Sequence, residues 1–173
     1  VDVDLFSVNL HGLAEGRHRY TLREPARELA LPDEGWEVND EVVLELVLDR
    51  TGSLLTARGM IETDVTMVCA RCLEEFAHHL EGEFEAVLRL GPETTSLEGE
   101  EDVPVITRDD RLSFAPSVRE ALILAVPMKP LCSDGCRGLC PQCGENLNTT
   151  TCGCGVQPID PRWDALQDLL KQK

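Results

Sequence analysis

Eight cysteines arranged in pairs constrain this 173-residue chain more than any other feature. Cys69-Ala70-Arg71-Cys72 stands alone upstream, whereas Cys132-Ser133-Asp134-Gly135-Cys136, Cys140-Pro141-Gln142-Cys143 and Cys152-Gly153-Cys154 crowd together downstream. Four thiolates in a tetrahedron close one structural zinc site, and a Cys-x-x-Cys turn supplies two of them from one tight loop. Two zinc ions follow from the count. Gly144, directly after Cys143, is the small residue that lets a zinc knuckle turn its backbone amides toward sulfur. Tight pairs in a chain able to build a core favour metal in a reducing cytoplasm over the disulfides of a secreted scaffold. Spacing alone leaves an iron–sulfur cluster or another thiolate metal open. Free redox cysteines are a further alternative, though no thioredoxin-like strand–helix context follows either Cys-x-x-Cys.

The pairing of pairs follows from loop length. Only eight residues, rich in Gly, Asn and Thr, separate Cys143 from Cys152, and short loops close at least entropic cost. The expected partition is Cys69, Cys72, Cys132 and Cys136 in one site and Cys140, Cys143, Cys152 and Cys154 in the other. Rival partitions join Cys69 and Cys72 to Cys140 and Cys143, or to Cys152 and Cys154. A closed four-thiolate site keeps no position for a reacting water, so both are expected to be structural rather than catalytic.

Charge narrows the partners. The formal net charge is -16, from 16 basic against 32 acidic side chains, and such a field repels phosphate backbones at long range. A basic protein is the natural partner, and RNA contact is expected only locally. Arg17, His18, Arg19, Arg23 and Arg27 form the one candidate basic cluster, but Glu15, Glu24 and Glu28 are interleaved with it and the plain reading is a solvated face. No run of eighteen apolar residues is present, which argues against a membrane span, and Val1 to Leu10 has no basic n-region of a signal peptide.

Along the chain, Val1, Val3 and Leu5 alternate with Asp2 and Asp4 as in a half-buried strand, and Arg19 to Leu22 reads as another short strand. Pro25, Pro32 and Gly35 argue for irregular structure from Arg23 to Asn39. The sheet proper is expected to begin at Glu41: Val42, Leu44, Leu46 and Leu48 share one face, Arg50-Thr51-Gly52-Ser53 is a turn, and a long strand runs from Leu54 to Val68. Gly59 in that strand predicts a bulge or a close backbone approach. Alternation resumes with Phe76, Leu80, Phe84, Ala86, Leu88 and Leu90, so Cys69 to Cys72 falls at the tip of an antiparallel hairpin. Residues 91–110 read as a mobile acidic loop. A largely buried helix is expected over 116–126, with Ser117 and Glu120 as its capping box, and Pro127 and Pro130 stiffen the run into Cys132. A last helix is expected from Asp160-Pro161, with Trp163, Leu166, Leu169 and Leu170 on its apolar side and Trp163 as a packing anchor. The fold expected is α+β: a twisted antiparallel sheet with one buried helix over 1–130, and a cysteine-rich zinc module with a short helix over 131–173.

Catalytic groups are sparse. His78 and His79 fall on opposite faces of one strand, and no nucleophile elbow, phosphate loop or metalloprotease helix is present.

Three stretches together resemble the bacterial YceD family of large ribosomal RNA subunit accumulation proteins: Cys69-Ala70-Arg71-Cys72-Leu73-Glu74-Glu75-Phe76; Leu122 to Cys132 with Pro127, Met128, Lys129 and Pro130; and Gly138-Leu139-Cys140-Pro141-Gln142-Cys143-Gly144-Glu145-Asn146-Leu147-Asn148 followed by Asp160-Pro161-Arg162-Trp163. The resemblance covers about Val42 to Leu170 and is loose before Glu41. It implies a bacterial cytoplasmic protein needed for accumulation of large-subunit ribosomal RNA, with no enzymatic activity established for the family. Some members keep the Cys-x-Arg-Cys pair without the later knuckle, which implies two separable metals. Arg71 has two readings: support of the site through a bond to a thiolate or backbone carbonyl, or an exposed cation that meets RNA or an acidic partner. The function expected is a non-enzymatic biogenesis factor that binds a large-subunit precursor particle or a basic ribosomal protein. The alternatives are a metal-dependent RNA-processing nuclease and a zinc-stapled adaptor unrelated to ribosomes.

Overall fold

Alternating apolar residues lay down three long strands, and these frame the protein. In the computed structural model, which describes residues 5–32, 35–39, 41–91, 105–106 and 111–155, β4 (Glu41–Thr51), β5 (Leu54–Val68) and β6 (Glu75–Leu90) form an antiparallel meander. To these are added β1 (Ser7–Asn9), β2 (Gly16–Pro25), β3 (Trp36–Val38), β7 (Val105–Ile106), β8 (Arg111–Ser113), a 3-10 turn at Ala26–Leu29 and one helix, α1 (Ala115–Ala125). The main sheet runs β2-β4-β5-β6-β7, with β3 pairing the far end of β5 beyond the last residue that β4 pairs there. β1 and β8 make a separate two-stranded sheet.

Several expectations are corrected here. The sheet begins at Gly16 and not at Glu41, because β2 is a full edge strand opposite β4. Its inward face, His18, Tyr20 and Leu22, is too polar to announce a ten-residue strand. Leu5 lies in a turn ahead of β1, and Val1 to Asp4 are outside the described residues. The stretch from Arg23 to Asn39 holds the end of β2, the 3-10 turn and β3 rather than purely irregular chain. Within 91–110, Val105 and Ile106 pair parallel to Arg89 and Leu90, so the sheet is not wholly antiparallel; the acidic remainder lies outside the described residues, as does the helix expected from Asp160.

One face of the sheet carries the core: Val42, Leu44, Leu46 and Leu48 from β4, Leu55, Ala57, Ile61, Val65 and Met67 from β5, and Leu80 and Leu88 from β6. Thr63, the buried polar residue on that face, donates its hydroxyl to the Glu41 carbonyl at 2.9 Å. Gly59 forms no bulge, since its pairing with both Leu46 and Phe84 is continuous. A Cβ there would stand 2.3 Å from the Phe84 ring, so the glycine makes room for an aromatic side chain that stacks on Phe114 with centroids 5.9 Å apart. Gly82 does the same for the helix, whose Ala121 carbonyl would lie 3.1 Å from an added Cβ.

α1 packs Val118, Ala121 and Leu122 against this face. It starts one residue earlier than expected, and Ser117 is not its cap. The N-cap position is Phe114, and Ser113 Oγ accepts the Ala115 amide at 3.3 Å while donating to the Leu5 carbonyl at 2.7 Å. The helix is buried on one side only, with Leu124 77% exposed. No helix among the described residues is long and apolar enough to cross a membrane.

Candidate metal centre

The β5–β6 hairpin outreaches β4 and carries Cys69 to Cys72 at its tip. At roughly 3.4 Å per residue, fifteen residues of β5 project that turn far along the sheet from the β4–β5 turn. The chain leaving α1 runs through Pro127 and Pro130 to meet the tip, where the Ala70 amide bonds the Pro130 carbonyl at 2.9 Å. Cys132 and Cys136 arrive beside Cys69 and Cys72. The sulfurs of these four lie within 4.8 Å of one another, and those of Cys140, Cys143, Cys152 and Cys154 form a second such cluster.

The donor sets fit a tetrahedral thiolate metal. Zinc–sulfur bonds of about 2.3 Å place the sulfurs of a regular tetrahedron about 3.8 Å apart. Cys69 Sγ lies 3.7 Å from Cys136 Sγ, and Cys72 Sγ lies 3.7 Å from Cys132 Sγ. In the first cluster Cys69, Cys72 and Cys136 are buried and Cys132 is exposed; in the second only Cys140 is buried, with Cys143 and Cys154 exposed.

Both clusters begin with the same turn. The amide of Cys69 bonds the Glu74 carbonyl at 2.9 Å and its carbonyl accepts Leu73 N–H at 2.9 Å; the amide of Cys140 bonds the Glu145 carbonyl at 2.8 Å and its carbonyl accepts Gly144 N–H at 2.9 Å. The residue after the second cysteine takes a positive φ in each, 75° at Gly144 and 60° at Leu73. Electrostatics follow the turn. Burial pushes the Cys69 thiol up, yet the backbone N–H groups of Cys132, Cys72 and Arg71 outweigh it and hold the thiol at about 6. The backbone N–H groups of Cys143 and Gln142 hold Cys140 at about 6 against its own burial. Cys154 is pushed up to about 12, first by the neighbouring Cys143 thiol and then by burial. In the first cluster Cys136 is lowered as well, chiefly by the Asn148 amide, while Cys72 and Cys132 are raised. Easily ionised thiols beside reluctant ones are what crowded sulfurs in a four-thiol cage produce.

Arg71 sits inside the first turn. Its guanidinium donates to the Cys136 carbonyl at 2.8 Å and to the Asp134 carbonyl at 3.4 Å, while its own carbonyl accepts Leu139 N–H at 3.1 Å. The other candidate cations are mostly occupied on the sheet: Arg17 meets Asp49 at 3.2 Å, Arg23 meets Glu41 at 2.7 Å, Arg27 meets Glu28 at 4.0 Å, and His18 bonds the Ala14 carbonyl. His78 and His79 point apart, and His79 bonds Asp64 at 2.8 Å.

Three contributors escape a reading by composition. Gly138 has φ 73°, and a Cβ there would stand 2.9 Å from the Arg71 carbonyl, so the two cysteine segments touch at backbone distance. Asn146 donates to Glu74 Oε1 at 3.2 Å. Asn148 accepts the Arg137 amide at 2.7 Å and donates its side-chain amide to Cys136 Sγ at 3.3 Å. The Gly/Asn/Thr stretch that looked like a pliable loop is therefore a bracket against the first cluster. Aligning the two turns would have flagged Leu73 at the Gly144 position, whereas nothing local marks Asn148.

Comparison with known proteins accords with this arrangement. Residues 57–170 match the family model described as large ribosomal RNA subunit accumulation protein YceD. An uncharacterised protein of Mycobacterium tuberculosis is 30% identical over 153 residues, spanning 87% of this chain and 72% of the relative. The chloroplastic large ribosomal RNA subunit accumulation protein YCED homolog 1 of Arabidopsis thaliana is 29% identical over 140 residues, 66% of this chain and 44% of its own length. An uncharacterised protein of Bacillus subtilis is 35% identical over 74 residues, 42% of this chain and 43% of its own. No solved structure matches. The paired knuckles, the hairpin that carries the first of them, and a family match over most of the chain agree: this protein belongs to the YceD family.

Proposed function

We propose that this protein is a non-enzymatic factor in biogenesis of the large ribosomal subunit, acting in the cytoplasm with two structural zinc ions and binding a precursor particle or a basic ribosomal protein. The observation that carries the reading is the family match, whose description names accumulation of the large-subunit ribosomal RNA. The donor chemistry supports a structural role for the metals, since four thiolates saturate a tetrahedral ion and leave no site for a hydrolytic water. Cys69, Cys72, Cys132 and Cys136 would hold one zinc and Cys140, Cys143, Cys152 and Cys154 the other. Zinc fits better than a hard cation because every donor is sulfur.

The uncovered face of the sheet supports the choice of partner. Met60 is 59% exposed there, with Glu45 opposite it on β4 and Glu83 on β6. Glu62 lies directly across from Glu81, and Arg58 pairs with Glu85 at 3.1 Å. Like charges opposed across strands cost a few tenths of a kcal/mol or more, and a cationic surface laid on them would remove that cost. An apolar centre ringed by carboxylates suits a Lys/Arg-rich protein segment and repels bare RNA. RNA contact, if made, is then local.

Sedimentation of cell extract through a gradient at low salt, with immunodetection, tests the reading. Co-migration with large-subunit precursors, lost in a triple variant with Glu62→Lys, Glu81→Lys and Glu83→Lys, is expected. Absence from every precursor particle contradicts it.

A further inference from the structure

We propose that Asn148 links the two cysteine clusters, so that their metals bind cooperatively rather than as independent staples. The inference rests on the zinc reading above and goes beyond it. Asn148 belongs to the segment between Cys143 and Cys152, so both ends of its loop are fixed by ligands of the second cluster. Its side chain, however, serves the first: Nδ2 donates to Cys136 Sγ at 3.3 Å. That bond draws charge off a thiolate ligand and fixes its orientation, the service that partners of metal ligands provide.

The surrounding bonds show how ordering of the loop would set the amide. The Asn148 backbone N–H donates to Asn146 Oδ1 at 3.0 Å, and Asn148 Oδ1 accepts Arg137 N–H at 2.7 Å, which leaves Nδ2 aimed at the sulfur. Asn146 in turn ties down Thr150 through its carbonyl, two residues before Cys152. A metal in the second cluster clamps Cys143 and Cys152 and so holds this bracket. Without it the loop gains freedom, and the amide reaches Cys136 in only part of the population. Linkage then requires the reverse effect: an occupied first cluster strengthens binding in the second by the same factor.

Zinc affinity of each cluster in the full chain is measured by competition with a chromogenic chelator, with metal content and far-ultraviolet circular dichroism read in parallel. Cys143→Ser is expected to weaken zinc in the Cys69 cluster on the order of 10- to 100-fold, the usual cost of losing a partner of a ligand. Asn148→Ala should give the same loss, and Asn148→Ala in the Cys143→Ser background should add nothing. Asn148→Asp keeps the acceptor for Arg137 but replaces the amide donor with a carboxylate facing the thiolate, so it should weaken the Cys69 cluster at least as much as Asn148→Ala. The proposal fails if the Cys69 cluster keeps its affinity within about twofold in Cys143→Ser or in Asn148→Ala, or if Asn148→Ala weakens it and Asn148→Asp does not. A protein purified with no zinc breaks the underlying zinc reading, while two zincs bound independently break this inference alone.

Discussion

Cys69 and Cys140 open the same hydrogen-bonded turn, and the two clusters diverge in where the second pair comes from. Cys72 meets Cys132 across 60 residues, whereas Cys143 and Cys152 are near neighbours. Closing the longer span costs roughly 1.5–2 kcal/mol more in an open chain. The sheet and α1 offset part of that cost by placing the hairpin tip beside the post-helix segment, where the Ala70 amide bonds the Pro130 carbonyl at 2.9 Å. By mass action, an ion held there stabilises the whole fold, while one in the exposed second cluster stabilises its own loop directly and the first cluster only through Asn148. The same turn thus serves as a long-range clamp in one place and a local staple in the other.

Cys69→Ser should break the comparison most severely. It is expected to lose one zinc of two, leave the Cys140 cluster metallated but with weaker affinity, and lower the melting temperature by about ten degrees, as removal of a metal cross-link costs about 4 kcal/mol or more. Cys143→Ser should lose the other zinc at a clearly smaller thermal cost, and equal shifts would erase the distinction drawn here. Gly138→Ala attacks the joint between the clusters. A Cβ 2.9 Å from the Arg71 carbonyl at φ 73° should cost about 1–3 kcal/mol in denaturant unfolding.

Smaller effects sharpen the likeness of the two turns. Leu73 is 65% exposed at φ 60°, where its counterpart is Gly144. Leu73→Gly should be neutral or stabilising by about 0.5 kcal/mol, because relief of left-handed strain is set against the greater freedom of an unfolded glycine. Gly144→Leu should destabilise, and a Leu73→Gly change that also destabilised would show that the turns are not equivalent. Farther down the hairpin, hydrogen bonding to Asp64 raises the pKa of His79 above 6.5. A group whose pKa is higher in the folded state stabilises fully below its unfolded pKa and loses that contribution as pH rises through the folded value. The His79–Asp64 contribution should therefore be present below pH 6.5 and fade above it, and Asp64→Asn should return the imidazole titration, followed by NMR, toward its ordinary value.

How much the sequence revealed depends on the range of the signal. β5 was legible to the residue and β4 all but its end, where Arg50 and Thr51 continue the strand and do not turn, because Val42 to Leu48 and Leu55 to Met67 bury every second side chain against one continuous core. β2 was legible only in part, since an edge strand with Arg17, Arg19 and Arg23 on its outer face lacks a clean apolar alternation. The helix cap was misplaced because Ser113, three residues outside the expected boundary, accepts the Ala115 amide, whereas the capping box was expected of Ser117 and Glu120 inside the helix. Cysteine spacing announced the clusters. Asn148, Gly138 and Gly82 owe their roles to contacts made across long stretches of chain, and no local pattern encodes those.

Metal analysis of the full-length protein purified without added chelator, combined with thiol titration, tests the central claim most directly. Two clusters of four sulfurs within 4.8 Å predict two zinc ions per chain, with all eight thiols unreactive until a chelator is added. Fewer than two ions, or several thiols that react at once in the native protein, would contradict the account.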